Sequence, residues 1–244
     1  MSIVVPAYNE GEAILPYLSK VIDTVTYPFE LLVVVDTPDD TTIAALETTA
    51  AEDSRIRTVI NTYGRGPAQA IRFGFDAARA GTVVVTMADG SDDPRQIDAL
   101  AELVERGVVV AAGSRYMAGG QQIGGPRFKR ALSRLAGQSL HLLAGIGTRD
   151  ATNSFKAYNA DFVRTVTIQS RAGFEIGLEL TAKARRARLP VAELPTIWLD
   201  RTDGESNFQL RKWIPKYLRW YFFAFGKPLP ITQIEAAAGA KGNK

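Results

Sequence analysis

The run VVVTMADGSDDP, residues 83–94, decides how the chain is read. Val83, Val84, Val85 and Met87 are apolar without polar alternation, the pattern of a parallel strand covered on both faces. Asp89, Asp92 and Asp93 follow at once. In open α/β sheets ligands bind beyond the carboxyl ends of the strands. Grouped carboxylates repel one another, so Mg²⁺ or Mn²⁺, which prefer oxygen ligands, would neutralise them. Asp93-Pro94 also reads as the N-cap and first residue of the next helix. Asp89 stands too early to cap and is the candidate metal or substrate ligand.

Working outward, strand and helix patterns alternate. Strands are expected at 2–5, 30–36, 56–60, 82–87 and 108–113. Helices are expected from Glu12, to about Ala51, after the GRG turn (64–66), and from Pro94 to about Arg106. This βαβα order predicts an α/β fold with a mostly parallel, doubly wound sheet flanked by helices. Further on, MAGGQQIGGP (117–126) reads as a glycine-rich lid. A helix from Arg127 to Ala144, a short strand near 154–158, a helix over 174–188 and a strand over 191–199 complete the domain, taken as residues 1–210.

In RKWIPKYLRWYFFAFG (211–226) Trp213, Ile214, Tyr217, Leu218, Tyr221, Phe222 and Phe225 recur at helical spacing, with Lys212, Lys216 and Arg219 between them. Two readings stay open for this amphipathic helix, taken as 211–230. It packs on the core, or it lies in the headgroup plane of an anionic membrane. The tail, 231–244, is expected to be disordered.

Composition narrows the function. A net charge of +3 is too small to argue for nucleic acid. Its distribution is uneven: Arg106 to Arg149 contains no Asp or Glu but holds Arg115, Arg127, Lys129, Arg130 and Arg134, and Ser206 to Ile234 is also acid-free. Basic segments set against an acidic cluster suggest an anionic substrate or surface. With no cysteine, thiolate metals and thiol nucleophiles are excluded. A strand starting near Met1 leaves no room for a signal peptide, and no apolar run is long enough to span a bilayer. GxxxxGK[ST], GxGxxG after the first strand and GxSxG are all absent, which disfavours P-loop, dinucleotide and Ser-hydrolase chemistry. The lone His141 reads as core. Tyr8 could stack on a base, Asn9 and Glu10 could bond to one, and Asp36 ends its strand where an acid commonly holds a ribose.

IVVPAYNE (3–10), a strand ending in Asp36, NTYGRGPA, ADGSDDP, GSRY (113–116), RALSRLAG (130–137), RDATNSFKAY (149–158), GFEIGLELTAKA (173–184) and ELPTIWLDRTDGES (193–206) occur in one order. Together they resemble family 2 glycosyltransferases, nearest the dolichyl-phosphate or polyprenyl-phosphate mannose synthase branch. The resemblance implies a GT-A fold, a nucleotide-sugar donor, Mg²⁺ or Mn²⁺, and a polyprenyl phosphate acceptor at the cytoplasmic face of a membrane. It is compatible with a small membrane-anchoring partner. It implies a nucleoside pocket at Pro6, Ala7, Tyr8, Glu10, Asp36 and Gly66, continued by Ala88, Asp89 and Gly90. Asp89 matches the second acid of the DxD motif, with Ser91 as a further metal ligand. Arg115, Arg130, Ser133, Arg134 and Arg201 match positions that gather phosphates, and Glu179 and Glu193 match recurrent acids.

Three departures stand out: Met87 where the first DxD acid belongs, a shortened loop after Asp36, and Asn207 where a lysine commonly follows GES. An acceptor phosphate is already an anion at neutral pH and needs no general base. A hydroxyl acceptor would need one, with Asp150 as the nearest candidate. Met87 raises a third reading, a non-catalytic nucleotide-sugar-binding subunit.

Overall fold

The computed structural model describes residues 1–171, 173–200 and 210–239, with side chains from Ile214 onward in the last segment. Among them, seven strands form one sheet: β1 (Ser2–Pro6), β2 (Glu30–Val35), β3 (Ile56–Ile60), β4 (Thr82–Val85), β5 (Val110–Ser114), β7 (Lys156–Asn159) and β8 (Val191–Pro195). Their order is β3-β2-β1-β4-β7-β5-β8. Every pairing is parallel except those of β7, which runs antiparallel between β4 and β5. A second sheet pairs β6 (Gln121–Ile123) with β9 (Ile197–Leu199).

Successive side chains of a strand point to opposite faces, and the core divides accordingly. Ile3, Val5, Leu31 and Val33 face a layer containing α1 (Leu15–Thr24), α2 (Thr41–Glu52) and α4 (Ile97–Glu105). Val4, Leu32, Val34, Val83 and Val85 face α3 (Pro67–Ala77), α6 (Ala160–Thr165) and α7 (Glu175–Arg186). Both faces being covered, the strands carry uninterrupted Val and Leu. Pro16 sits in the first turn of α1, where its missing N–H costs nothing. Asp40 caps α2 and Asn159 caps α6. Asp93 caps the 3₁₀ turn before α4 through Arg95 N, as its sequence context indicates.

Helix α5 (Arg127–Ser139) runs into a π turn over Leu140–Ala144 and ends at Gly145. Its end meets α7, α8 (Leu210–Ala224) and α9 (Ile231–Gly239) in a third apolar cluster built on Leu140, Leu178, Trp220, Phe223 and Ile234.

Three expectations change. The tail is not disordered over 231–239: α9 docks through buried Ile234 and Ala238, while Glu235 accepts the Thr167 N–H and Arg219 donates to the Ala238 carbonyl. Apolar side chains spaced to reach the third cluster outweigh the low-complexity look of this segment. The glycine-rich 117–126 stretch is tied down through β6, because β9 supplies a partner that local composition does not reveal. In α8 the core-facing residues are Trp220, Phe223 and Ala224, whereas Ile214, Leu218, Phe222 and Phe225 of the sequence stripe are exposed. The helix therefore packs on the core and presents a second apolar face outward. The side chains of Arg211, Lys212 and Trp213, like all of Arg201 and Asn207, lie outside the described residues.

Gly137 lets α5 seat on the chain at Arg149, since a Cβ there would stand 2.1 Å from the Arg149 carbonyl oxygen. Gly137→Ala should lower stability by about 1–3 kcal/mol, the usual cost of overpacking, read as a fall in the urea midpoint at unchanged slope.

Candidate active site

The carboxyl ends of β1, β2, β4 and β5 open into a cavity of about 1270 Å³. At one end Pro6, Ala7, Tyr8, Glu10, Asp36 and Gly66 line it. Asn9 holds a left-handed φ of 51°, and its N–H lies 3.0 and 3.1 Å from the two carboxylate oxygens of Asp40. Glu10 N donates to Thr42 Oγ1 at 3.1 Å. The cap of α2 thus also clamps the Tyr8–Glu10 turn, a task of Asp40 that sequence reading missed. Tyr8 is left 59% exposed, an aromatic face available to a planar ring. Asp36 accepts from Asn61 Nδ2 at 2.9 Å and from Gly66 N at 2.8 Å, so it shapes the glycine turn as well as lining the cavity. Gly66 has φ 112°, which glycine adopts without strain.

The centre is the turn after β4. Asp89 Oδ1 accepts from Ser91 N at 3.1 Å and from Ser91 Oγ at 2.7 Å. Asp92, 3% exposed, accepts at Oδ2 from Thr86 Oγ1 at 3.1 Å and from Met87 N at 3.2 Å. Burial, and then the Asp89 charge, push the Asp92 carboxyl up to about 7. Ala88, Asp89 and Ser91 line the cavity; Gly90 does not, a Cβ there meeting Tyr17 instead.

Magnesium is commonly held by one or two carboxylates, with water and substrate phosphates completing its shell. Asp89 and its neighbours suit such a partial site. No group of three or more His, Cys, Asp or Glu able to hold a metal occurs among the described residues, so a closed protein cage does not fit.

The far half is basic, then apolar. Arg115 lines the cavity, but its Nε and Nη2 already bond Asp150 at 2.7 and 2.8 Å, and Asp150 also accepts Arg115 N. Burial works against the Arg115 charge, yet Asp150 outweighs it and raises the pKa. The guanidinium lies 5.0 Å from the Tyr116 ring centroid and 6.0 Å from that of Trp198. Arg115 is therefore a braced cation of the floor rather than a free phosphate fork. Asp150 is fully buried beneath it and absent from the lining, which removes it as a general base.

Arg130 and Ser133 line the cavity, with Ser133 Oγ 2.6 Å from Thr152 Oγ1. Arg134 does not: one residue on, the helical turn carries it to the exposed surface. Lys129, in the same basic run, lines the cavity in its place. Glu179 bonds Lys183 and the N–H groups of Gln169 and Ser170, and Glu193 bonds Arg149 and Thr148. Both organise backbone away from the cavity lining.

A groove between α5 and α8 completes the space, lined by Leu132, Leu135, Ile214, Tyr217, Leu218 and Tyr221. Ser139 Oγ and Tyr221 OH, 2.9 Å apart, join the two helices. Exposed apolar stripes flank it: Phe128, Leu132, Leu135, Leu142 and Leu143 on one side, Ile214, Leu218, Phe222 and Phe225 on the other. None of the described helices is long and apolar enough to cross a membrane.

A cleft of this kind on a doubly wound sheet is shared by many enzymes, and the sequence selects among them. The family model for glycosyl transferase family 2 matches residues 2–167. The chain belongs to glycosyl transferase family 2. This family 2 enzyme is 30% identical over 227 residues to a polyprenol monophosphomannose synthase of Mycolicibacterium smegmatis, covering 89% of this chain and 85% of the relative. Its fold is that of GT-A glycosyltransferases. Glucosyl-3-phosphoglycerate synthase from Mycobacterium tuberculosis, solved with Mn²⁺, UDP and glucosyl-3-phosphoglycerate, superposes with a TM-score of 0.67 at 16% identity, over 93% of this chain and 80% of that one. A mannosyltransferase from Pyrobaculum calidifontis, solved with GDP-mannose and Mn²⁺, superposes with a TM-score of 0.63 at 19% identity, over 98% and 68%.

Removing one member of a buried ion pair costs about 3–5 kcal/mol, while replacing both by apolar groups is often neutral. Asp150→Ala should therefore lose stability on that scale in chemical denaturation, and the double variant Arg115→Met/Asp150→Leu should recover most of it while losing transfer activity.

Proposed function

We propose that this glycosyltransferase moves a hexose, with inversion, from a nucleotide sugar to a polyprenyl phosphate at a membrane surface. One observation carries the reading: a single cavity runs from the Tyr8 and Asp36 end, past Asp89, to Lys129 and Arg130, and opens into an apolar groove between α5 and α8. A soluble sugar acceptor needs no such groove, whereas a lipid-linked anion needs both the cations and the apolar channel. The removal of Asp150 as a base tells against a hydroxyl acceptor, and the M. smegmatis relative's name points the same way.

The acceptor phosphate, unprotonated at one oxygen, attacks the anomeric carbon as the bond to the donor diphosphate breaks on the opposite face. Lys129 and Arg130 hold this phosphate and offset the repulsion between two like-charged substrates. Arg115, fixed by Asp150, contributes a preorganised positive field that costs no reorganisation during reaction. Tyr8 and Glu10 hold the base end of the donor. A divalent cation held through Asp89 would supply charge stabilisation for the departing nucleoside diphosphate. The apolar stripes lie on the bilayer with Arg127 and Arg134 at the headgroups. Donor choice between GDP-mannose and a UDP-hexose or N-acetylhexosamine is an assay outcome, with mannose first on the relative's name.

With polyprenyl phosphate, Mn²⁺ or Mg²⁺ and a panel of labelled GDP- and UDP-sugars, label should enter the organic phase. It should fall about a hundredfold or more in Asp89→Ala, the scale of losing a charge-stabilising contact; label found only in water-soluble product would overturn the lipid acceptor. Leu135→Asp/Phe222→Asp should weaken sedimentation with anionic vesicles at least about tenfold, each lost side chain being worth about 1.5–3 kcal/mol when buried, with melting temperature unchanged.

A further inference from the structure

Position 87, two residues past the end of β4, is where the resemblance calls for an acid, yet it carries a methionine, whose soft thioether is a poor ligand for a hard cation. The chain turns back on itself just beyond. The turn brings residue 92 to the end of β4, where the Thr86 hydroxyl and the Met87 N–H, the backbone of the altered position itself, both bond Asp92 Oδ2. Asp92 Oδ1 takes no hydrogen bond from the described residues. Asp92 lines the same cavity as Asp89, and the residue is 97% buried, its exposure being 3%. A carboxylate this deep needs donors or cations around it, and the described residues supply two donors at Oδ2 and the charge of Arg115. A role in the local fold would require only Oδ2.

We propose that Asp92 takes the place of the missing acid at position 87 and is, with Asp89, the second carboxylate of the divalent-metal site. The inference rests on the reading of this enzyme as metal-dependent and adds the identity of its second acid. The shift from 87 to 92 keeps two carboxylates for the cation while leaving the remaining positions to diphosphate and water.

The test is Mn²⁺ affinity, followed by the loss of the free-ion electron paramagnetic resonance signal, on the full chain with GDP or UDP present. Asp92→Asn should weaken Mn²⁺ binding at least tenfold, since disturbing even an outer-shell partner costs that much, and Met87→Asp added to Asp92→Asn should restore it. Asp92→Ser, which removes the carboxylate but keeps a small polar group, should reproduce the loss if Asp92→Asn does not fold. Wild-type Mn²⁺ binding that persists unchanged in Asp92→Asn or Asp92→Ser overturns the inference alone. Absence of Mn²⁺ binding by the wild type with either nucleotide overturns the metal-dependent reading and the inference with it.

Discussion

Arg115 leaves the end of β5 and meets Asp150, a fully buried carboxylate from a loop 35 residues further on, through two side-chain bonds and one backbone bond. A charge this deep is tolerable only because it is paired and hydrogen-bonded. The far half of the cavity is hung on this pair. The loop that carries Asp150 also carries Thr152, which holds Ser133 of α5, and Asn153, which bonds the Gly113 carbonyl of β5. Lys156, fully buried, donates to the Ala151 and Asn153 carbonyls from below. Burial lowers this lysine to about 7 against the pull of Asp150. The position of Lys129 and Arg130 over the cavity is thus inherited from a core of matched charges.

The two halves are built on different principles. The Tyr8–Asp36 half hangs on backbone geometry: strand ends, a clamped turn at Asn9, and a glycine turn gripped by Asp36. The Lys129–Arg130 half hangs on side chains, with long-range ties between α5, α7 and α8. That difference explains what could be read from the chain. Strands such as 30–35 and 56–60 and the cap at Asp93 were legible because local patterning and short-range bonds determine them. The positions of Pro6, Tyr8, Asp36 and Asp89 around one cavity follow from the strand-end rule. Arg134, given by the resemblance, lies off the cavity lining because a motif match does not say which side of a helix faces inward. The partner of Arg115, the β6–β9 pairing and the docking of α9 were illegible because each joins segments far apart in sequence. In α8 the spacing was sound, but a helix with two apolar faces does not reveal which one meets the core.

Asp40 shows how one residue can serve fold and site together. As an N-cap it satisfies Thr42 N at 2.9 Å, and with the same carboxylate it fixes Asn9. The 37–40 connection leads directly into α2 and so places the Asp40 cap beside Asn9.

The antiparallel β7 sits between β4 and β5, pairing Thr82 with Asn159 and Val110 with Tyr158. Until residues 156–159 have left the ribosome, the inner margins of β4 and β5 lack their neighbour, and each is a bare template for another chain. Closure of the sheet must wait for contacts of long sequence separation, which form slowly. A nascent chain of this enzyme therefore passes through a stage of adhesive margins, at which a chaperone has its best purchase.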